Sequence, residues 1–210
     1  MNILEALVIP RSDQTLKLIE IFYFLSSSIF NLYNAALFGS ILYSTVLYYL
    51  AFKKHDSNYL SSSFEYLKSV AKGYLSLFGL GFVPLLSVYY SLLQFILKAP
   101  SGFFRSLLIS TIFFVLSVLL LKLSISIFKT SNNLNKFKWG LFAINITALI
   151  FILVVVVLTN ATAFSIVNSQ FASFDLGTES LFSLGFILRL LAFLAMSVMI
   201  SSLLYFYKTG

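Results

Sequence analysis

The sequence has no cysteine, one histidine and three prolines, and 14 basic plus 7 acidic residues are its only charges in 210 positions. The absence of cysteine excludes disulfide bonds, thiolate chemistry, iron–sulfur ligation and covalent attachment of c-type haem. The single histidine, His55, stands in a Lys-Lys-His-Asp segment, where a solvated surface residue is the simplest interpretation. A haem or metal site within one chain normally needs two or more converging ligands, so we expect none here.

Long stretches of the chain also lack acidic residues and histidine altogether. Proton transfer through a membrane normally uses intramembrane carboxylates or histidines, and a nucleophilic serine needs a base beside it. Neither group is present in the apolar stretches. We therefore predict that the chain is no enzyme on its own, with no catalytic, cofactor-binding or metal-binding residues.

Apolar residues are abundant instead, since 60% of the side chains are hydrophobic and 18% are aromatic. A membrane-spanning helix needs about 20 consecutive apolar residues, and five runs satisfy this requirement. The sequence predicts an all-α, polytopic transmembrane helix bundle over residues 21–210, preceded by a retained interfacial segment at 1–20. The five predicted spans are 21–52, 73–97, 106–128, 139–167 and 181–207. Gly79, Gly81 and Pro84 predict a kink and close helix packing within the second span.

The distribution of Lys and Arg between the runs predicts the orientation. Nine basic residues lie in 53–72, 122–138 and at Lys208, whereas four lie near the N-terminus and in 98–105. By the positive-inside rule, the N-terminus is outside and the C-terminus is cytoplasmic. The formal charge of +7 forms no basic stripe suited to nucleic acid, so we predict lipid head groups and no nucleic acid as partners.

Arg189 is the one charged residue well inside a predicted span, about 12 Å along its helix. One interpretation is that its side chain reaches the outer surface or pairs with Asp175 or Glu179. The alternative is a contact with an anionic group of a partner or cofactor, such as a haem propionate or a lipid phosphate.

The polar residues of the spans are typical of hydrogen bonding between helices. Asn31 and Asn34 share a helix face by their spacing, and we expect them to contact one neighbour together. Asn31, Asn34 and Arg189 are therefore the candidate partner or anion contacts. A transporter would instead bring the larger polar residues together around one path: Asn31, Asn34, Gln94, Asn145 and Arg189.

Several stretches resemble the N-terminal helices of subunit I of cytochrome bd-type quinol oxidases. Leu77 to Phe82 resembles that family's Leu-Phe-Gly-x-x-Phe, and Gln94-Phe95 its later Gln-Phe. Asn145 to Leu149 resembles an Asn-x-Ser-Ala-Leu stretch, Asn160 to Phe164 an Asn-rich exit, and Glu179 to Phe182 the start of the next helix.

The chain departs from that family at its chemistry. Where the family has haem-ligating histidines, Asn31, Asn34 and Arg189 stand nearby, and the intramembrane glutamates have no counterpart between Ser106 and Leu121. The resemblance implies a haem-less accessory or anchoring subunit of a respiratory or other electron-transfer complex in a bacterial inner membrane. Haem or quinone would then belong to partner subunits, which include cytochromes. The alternative function is a small transporter or channel component.

Overall fold

The computed structural model describes residues 12–54, 57–71, 77–95, 101–130, 134–167 and 184–209, and all of them except Ser12 are helical. The predicted all-α class is therefore confirmed for this part of the chain. Within these described ranges six α-helices follow one another, and a π-helical segment, Leu77–Phe82, leads directly into the third. They are α1 Asp13–Lys54, α2 Ser57–Ala71, α3 Val83–Phe95, α4 Ser101–Thr130, α5 Leu134–Val167 and α6 Leu184–Thr209.

Four of these helices are long and apolar enough to cross a bilayer, which identifies an integral membrane protein. They contain the predicted spans 21–52, 106–128 and 139–167 and the described part of 181–207. The predicted span 73–97 appears as the shorter apolar helix Gly79–Phe95, and its two ends lie outside the described residues. The first eleven residues, His55, Asp175 and Glu179 lie outside them as well.

Helix α1 begins eight residues before the predicted start of the first span because Ser12 caps it. The Ser12 amide donates to Thr15 Oγ1 over 2.9 Å, and the Thr15 amide donates to Ser12 Oγ over 3.2 Å. This reciprocal pair satisfies two of the backbone donors that every helix start leaves free. Asp13 in the first turn and Lys53 and Lys54 in the last turn complement the helix dipole.

Helix α2 folds back and packs antiparallel along the second half of α1. Ser44 Oγ donates to the Ser63 carbonyl over 3.0 Å, and Ser63 Oγ donates to the Ser44 carbonyl over 2.8 Å. The Phe64 ring of α2 stacks on Phe128 near the end of α4. The ends of α1 and α4 also meet here, because Tyr48 contacts the same Phe128 ring. We call this end of the bundle the basic end, since the last turns of the two helices carry Lys53, Lys54 and Lys129.

Helices α4 and α5 form an antiparallel pair with regular heptad spacing. One row of buried residues of α5 repeats at intervals of four and three, the pattern by which coiled-coil helices pack: Leu141, Asn145, Ala148, Ile152, Val155, Thr159, Thr162 and Ile166. Serines occupy the facing side of α4. Ser124 Oγ donates to Asn145 Oδ1 over 2.9 Å near one end, and Ser106 Oγ lies 2.7 Å from Thr162 Oγ1 near the other.

Glycines permit the closest helix contacts in the bundle. A methyl group added to Gly39 of α1 would collide with the Ser197 carbonyl oxygen and with Ser201 Oγ of α6. A methyl group on Gly81 would collide with the Phe114 ring, whereas Gly79 has open space around it. The predicted close packing is therefore confirmed at Gly81 and wrong at Gly79, which faces away from the neighbouring helices.

We predict that Gly39→Ala destabilises the protein by about 1–3 kcal/mol, because the added methyl group separates α1 from α6. Gly140→Ala is the matched control, since Gly140 is an exposed helical glycine and a methyl group added there would have no neighbour within 4 Å. Thermal unfolding in detergent measures both changes. Equal midpoints for Gly39→Ala and the unsubstituted protein would contradict the close α1–α6 contact.

Candidate functional site

A polar cleft lies between α1, α5 and α6 and has a volume of about 340 Å³. Its hydrogen-bonding side chains come from two helices, and the third contributes a positive charge. Apolar side chains of α1 and α6 complete the walls. The lining residues are Tyr23, Phe24, Ser27, Ser28, Asn31, Asn160, Arg189, Ala192, Phe193 and Met196.

Helix α1 presents its polar side chains to the cleft at intervals of four residues. Tyr23, Ser27 and Asn31 therefore share one face of the helix. The Tyr23 hydroxyl interacts with Ser27, and Asn31 Nδ2 donates to Ser27 Oγ over 3.4 Å. The periodicity of α1 thus produces a continuous hydrogen-bonding strip beside Arg189.

Helix α5 contributes Asn160, whose side chain bridges two helices. Its Nδ2 donates to the Val156 carbonyl of its own helix over 2.9 Å and to Asn31 Oδ1 of α1 over 3.5 Å. The second distance is long for a hydrogen bond, so this contact is weak. The two amides together therefore retain hydrogen-bonding capacity for a further group in the cleft.

Arg189 lies five residues after the described start of α6, and its side chain is exposed. The guanidinium carbon is 5.6 Å from the centroid of the Phe164 ring of α5. Gly185 allows this approach, because a methyl group there would lie 3.1 Å from the same ring. A cation over an aromatic face is attracted to it, so Phe164 holds the guanidinium at the cleft.

Among the residues that the structure describes, Arg189 has no carboxylate partner. The salt bridge found there joins Lys68 to Glu65. The charge of Arg189 does act electrostatically on the Tyr23 hydroxyl. The predicted pairing partners Asp175 and Glu179 lie outside the described residues. Within the described helices, the cleft therefore has a net positive potential.

A second, aromatic cavity of about 280 Å³ lies at the basic end, lined by Tyr48, Tyr49, Phe52, Lys53, Trp139 and Phe142. Tryptophan and tyrosine beside lysine are typical of a membrane interface. Asn160 follows Trp139 by 21 residues, about 31 Å along a helix, and the hydrocarbon core of a bilayer is about 30 Å thick. With Trp139 at one interface, these lengths put the polar cleft near the opposite edge of the hydrocarbon core.

The structure brings together two of the three predicted contact residues, Asn31 and Arg189. The third, Asn34, is fully buried, donates to the Phe30 carbonyl of its own helix over 2.8 Å and does not line the cleft, so the joint contact of Asn31 and Asn34 with one neighbour stays a prediction. Asn34 follows Asn31 by three positions, so its side chain leaves the helix in a different direction and points into the bundle. Its Oδ1 has no partner among the described residues.

Sequence reasoning did not assign Tyr23, Ser27 or Asn160 to the site. The four-residue spacing of Tyr23, Ser27 and Asn31 was the available signal for α1. Asn160 had no such signal, because only the packing of α5 against α1 brings it to Asn31. The prediction of interhelical hydrogen bonding is confirmed for Asn145 through Ser124, while Thr147 donates to Ala143 of its own helix.

No family model, curated protein or solved structure matches this chain. The described helices hold no group of three acidic, histidine or cysteine residues that would bind a metal ion. What the cleft offers is one fixed positive charge, amide and hydroxyl donors, and an apolar wall. Such a set of groups binds an anion.

We predict that the charge of Arg189 controls how ions enter the cleft. The chain has no cysteine, so Ser28→Cys places one thiol at the exposed cleft lining. Replacing Arg189 by Gln in that background should lower the ratio of the rates for anionic and cationic methanethiosulfonates about fivefold, from the loss of a nearby unit charge. Reaction rates with both reagents measure it.

Arg105→Gln in the same Ser28→Cys background is the control, because Arg105 is also exposed but does not line the cleft. Its ratio should stay near that of the parent. The ratio cancels any change in the accessibility of the thiol, and an unchanged ratio in the Arg189 variant would show that its charge does not reach the cleft.

Proposed function

We propose that the chain crosses a bacterial inner membrane five times, with its N-terminus outside and its C-terminus cytoplasmic. The gathering of lysines at the basic end supports this orientation, because Lys and Arg are retained on the cytoplasmic side. The polar cleft is then at the outer surface. In this proposal the fifth crossing runs through the short helix Gly79–Phe95.

We further propose that the protein is a non-catalytic accessory or anchoring subunit that packs against other membrane subunits. The observation that carries this proposal is an apolar stripe on α1, formed by Leu18, Phe22, Leu25, Ile29 and Leu32. Each of these side chains is between 37% and 65% exposed. Their spacing of four and three residues is the heptad pattern by which one helix receives another.

The length of α1 explains why lipid alone does not account for this stripe. The helix has 42 residues, about 63 Å, which is roughly twice the hydrocarbon thickness. Lys17 and Glu20 lie beside the first stripe residues, so this part of α1 reaches the aqueous boundary. Exposed apolar side chains at such a position favour a protein partner over lipid.

The electron-transfer setting of this subunit rests on the resemblance to the cytochrome bd-type oxidases. In that setting the partners are cytochromes or other cofactor-bearing subunits, and any haem or quinone belongs to them. The richness in aromatic side chains and the absence of cysteine suit a packing role of this kind.

A small transporter or channel component is the second candidate function. The convergence of Asn31, Asn160 and Arg189 in one cleft favours it, because transport needs a polar path. Against it, Asn145 bonds to Ser124, while Asn34 and Gln94 are buried and do not line the cleft. The polar residues thus occupy several separate places in the bundle.

We expect mild-detergent purification from native membranes to yield partner subunits with a haem signal in the reduced-minus-oxidised spectrum. Replacing Phe22 and Leu25 by Asn should remove the partners, because two polar amides interrupt the apolar stripe. Asn at Leu108 and Leu119 is the control pair, since both are exposed apolar residues of α4. A colourless protein without partners would favour the transporter function.

The orientation predicts how two single cysteines react with an impermeant maleimide. Gln14→Cys should be labelled in intact cells, because it lies at the N-terminal end of α1. Ser61→Cys of α2 should be labelled only after the membrane is opened. Both positions are exposed, so the opposite pattern would reverse the orientation.

A further inference from the structure

We propose that the cleft between α1, α5 and α6 binds the head group of an anionic phospholipid, with an acyl chain along its apolar wall. Its phosphate would meet Arg189, Asn31 and Asn160. This inference goes beyond the accessory role and requires no partner subunit. It depends only on the position of the cleft at a membrane interface.

The charge balance of the cleft selects for an anion. Among the described residues Arg189 lacks a carboxylate partner, and the Phe164 ring lies against one side of its guanidinium group. Contact with an aromatic face leaves the edge of a guanidinium free, and this edge carries five N–H donors in a planar fork. That fork matches the paired oxygens of a phosphate group.

The amide groups add positions for further phosphate oxygens. Asn31 Nδ2 donates to Ser27 over 3.4 Å and the Asn160–Asn31 contact is 3.5 Å, both near the limit of a hydrogen bond. The Asn31 amide, held this loosely, gains by turning toward a stronger acceptor such as a phosphate oxygen. Asn160 keeps its 2.9 Å bond to the Val156 carbonyl and offers the N–H of its weak contact with Asn31. The Tyr23 and Ser28 hydroxyls lie in the same lining.

The apolar part of the lining distinguishes a lipid from a free phosphate ion. Ala192 and Met196 of α6 lie on the cleft wall, three and seven positions after Arg189 and therefore on the side of the bilayer centre. An inorganic ion gains nothing from such a surface, whereas an acyl chain covers it. The cleft also lies about one hydrocarbon thickness from the aromatic cavity of the basic end, which places it near the edge of the hydrocarbon core and next to the head-group layer.

A zwitterionic lipid meets the same groups less favourably. Its ammonium group would enter a cleft that already holds the Arg189 charge and, within the described helices, offers it no carboxylate. A net negative head group avoids that repulsion. The cleft should therefore prefer phosphatidylglycerol to phosphatidylcholine of the same acyl chains.

The test is native mass spectrometry of the full chain in mild detergent, titrated with phosphatidylglycerol or phosphatidylcholine. We expect one tightly bound phosphatidylglycerol, preferred about fivefold, the factor expected when the ammonium group of phosphatidylcholine meets one nearby unit charge of the same sign. Arg189→Gln should abolish the preference, and Arg105→Gln should keep it because Arg105 lies outside the cleft. Ala192→Phe, whose ring takes up the space along the apolar wall, should weaken the binding of phosphatidylglycerol although Arg189 is still present.

Three results would overturn the proposal. The first is equal binding of both lipids, or a preference that survives Arg189→Gln. The second is displacement of the lipid by millimolar inorganic phosphate, which would assign the site to a free ion. The third is a preference that appears only when Asp175 and Glu179 are replaced by Asn and Gln, since the partner of Arg189 would then be a carboxylate of this chain. None of these results depends on whether partner subunits co-purify.

Discussion

Helices in a bilayer gain little by hiding leucine from lipid, because the lipid tails are equally apolar, and close backbone contact must hold them together. In this bundle that contact is Gly39 of α1 against Ser197 of α6. Asn31 and Arg189 each precede these residues by eight positions, about two turns along parallel helices. The same contact that joins the two helices therefore sets Asn31 and Arg189 at one level, and the cleft depends on it.

Much of the fold could be predicted from charge-free runs, since a helix is the one structure that satisfies its own backbone in lipid without a neighbour. The boundaries were less predictable. Ser12 and Thr15 form a cap that starts α1 before its apolar run begins, and such local hydrogen bonds do not appear in hydropathy. The run from 73 to 97 contains glycines and a proline, and there the described chain changes from π-helix to α-helix at Val83.

Only some residues of the candidate site could be predicted from the sequence. Arg189 stood out because a charge inside an apolar helix is costly, and this rule needs no structure. Asn34 looked equivalent to Asn31, yet a shift of three residues turns it into the core, where it bonds to Phe30. Asn160 reaches the cleft solely through the way α5 crosses α1. Which helices become neighbours is a property of the whole bundle, and no local pattern encodes it.

The order of synthesis gives the Gly39 contact a further consequence. Helices α4 and α5 follow each other with three residues between them, so they can enter the membrane as a ready pair. Gly39 must wait for Ser197, which is 158 positions later, or roughly ten to thirty seconds at the ribosome. During that interval no helix α6 is present to pack against Gly39. A nascent chain halted before α6 therefore has Gly39 uncovered and lacks the cleft, which needs Arg189 of the last helix.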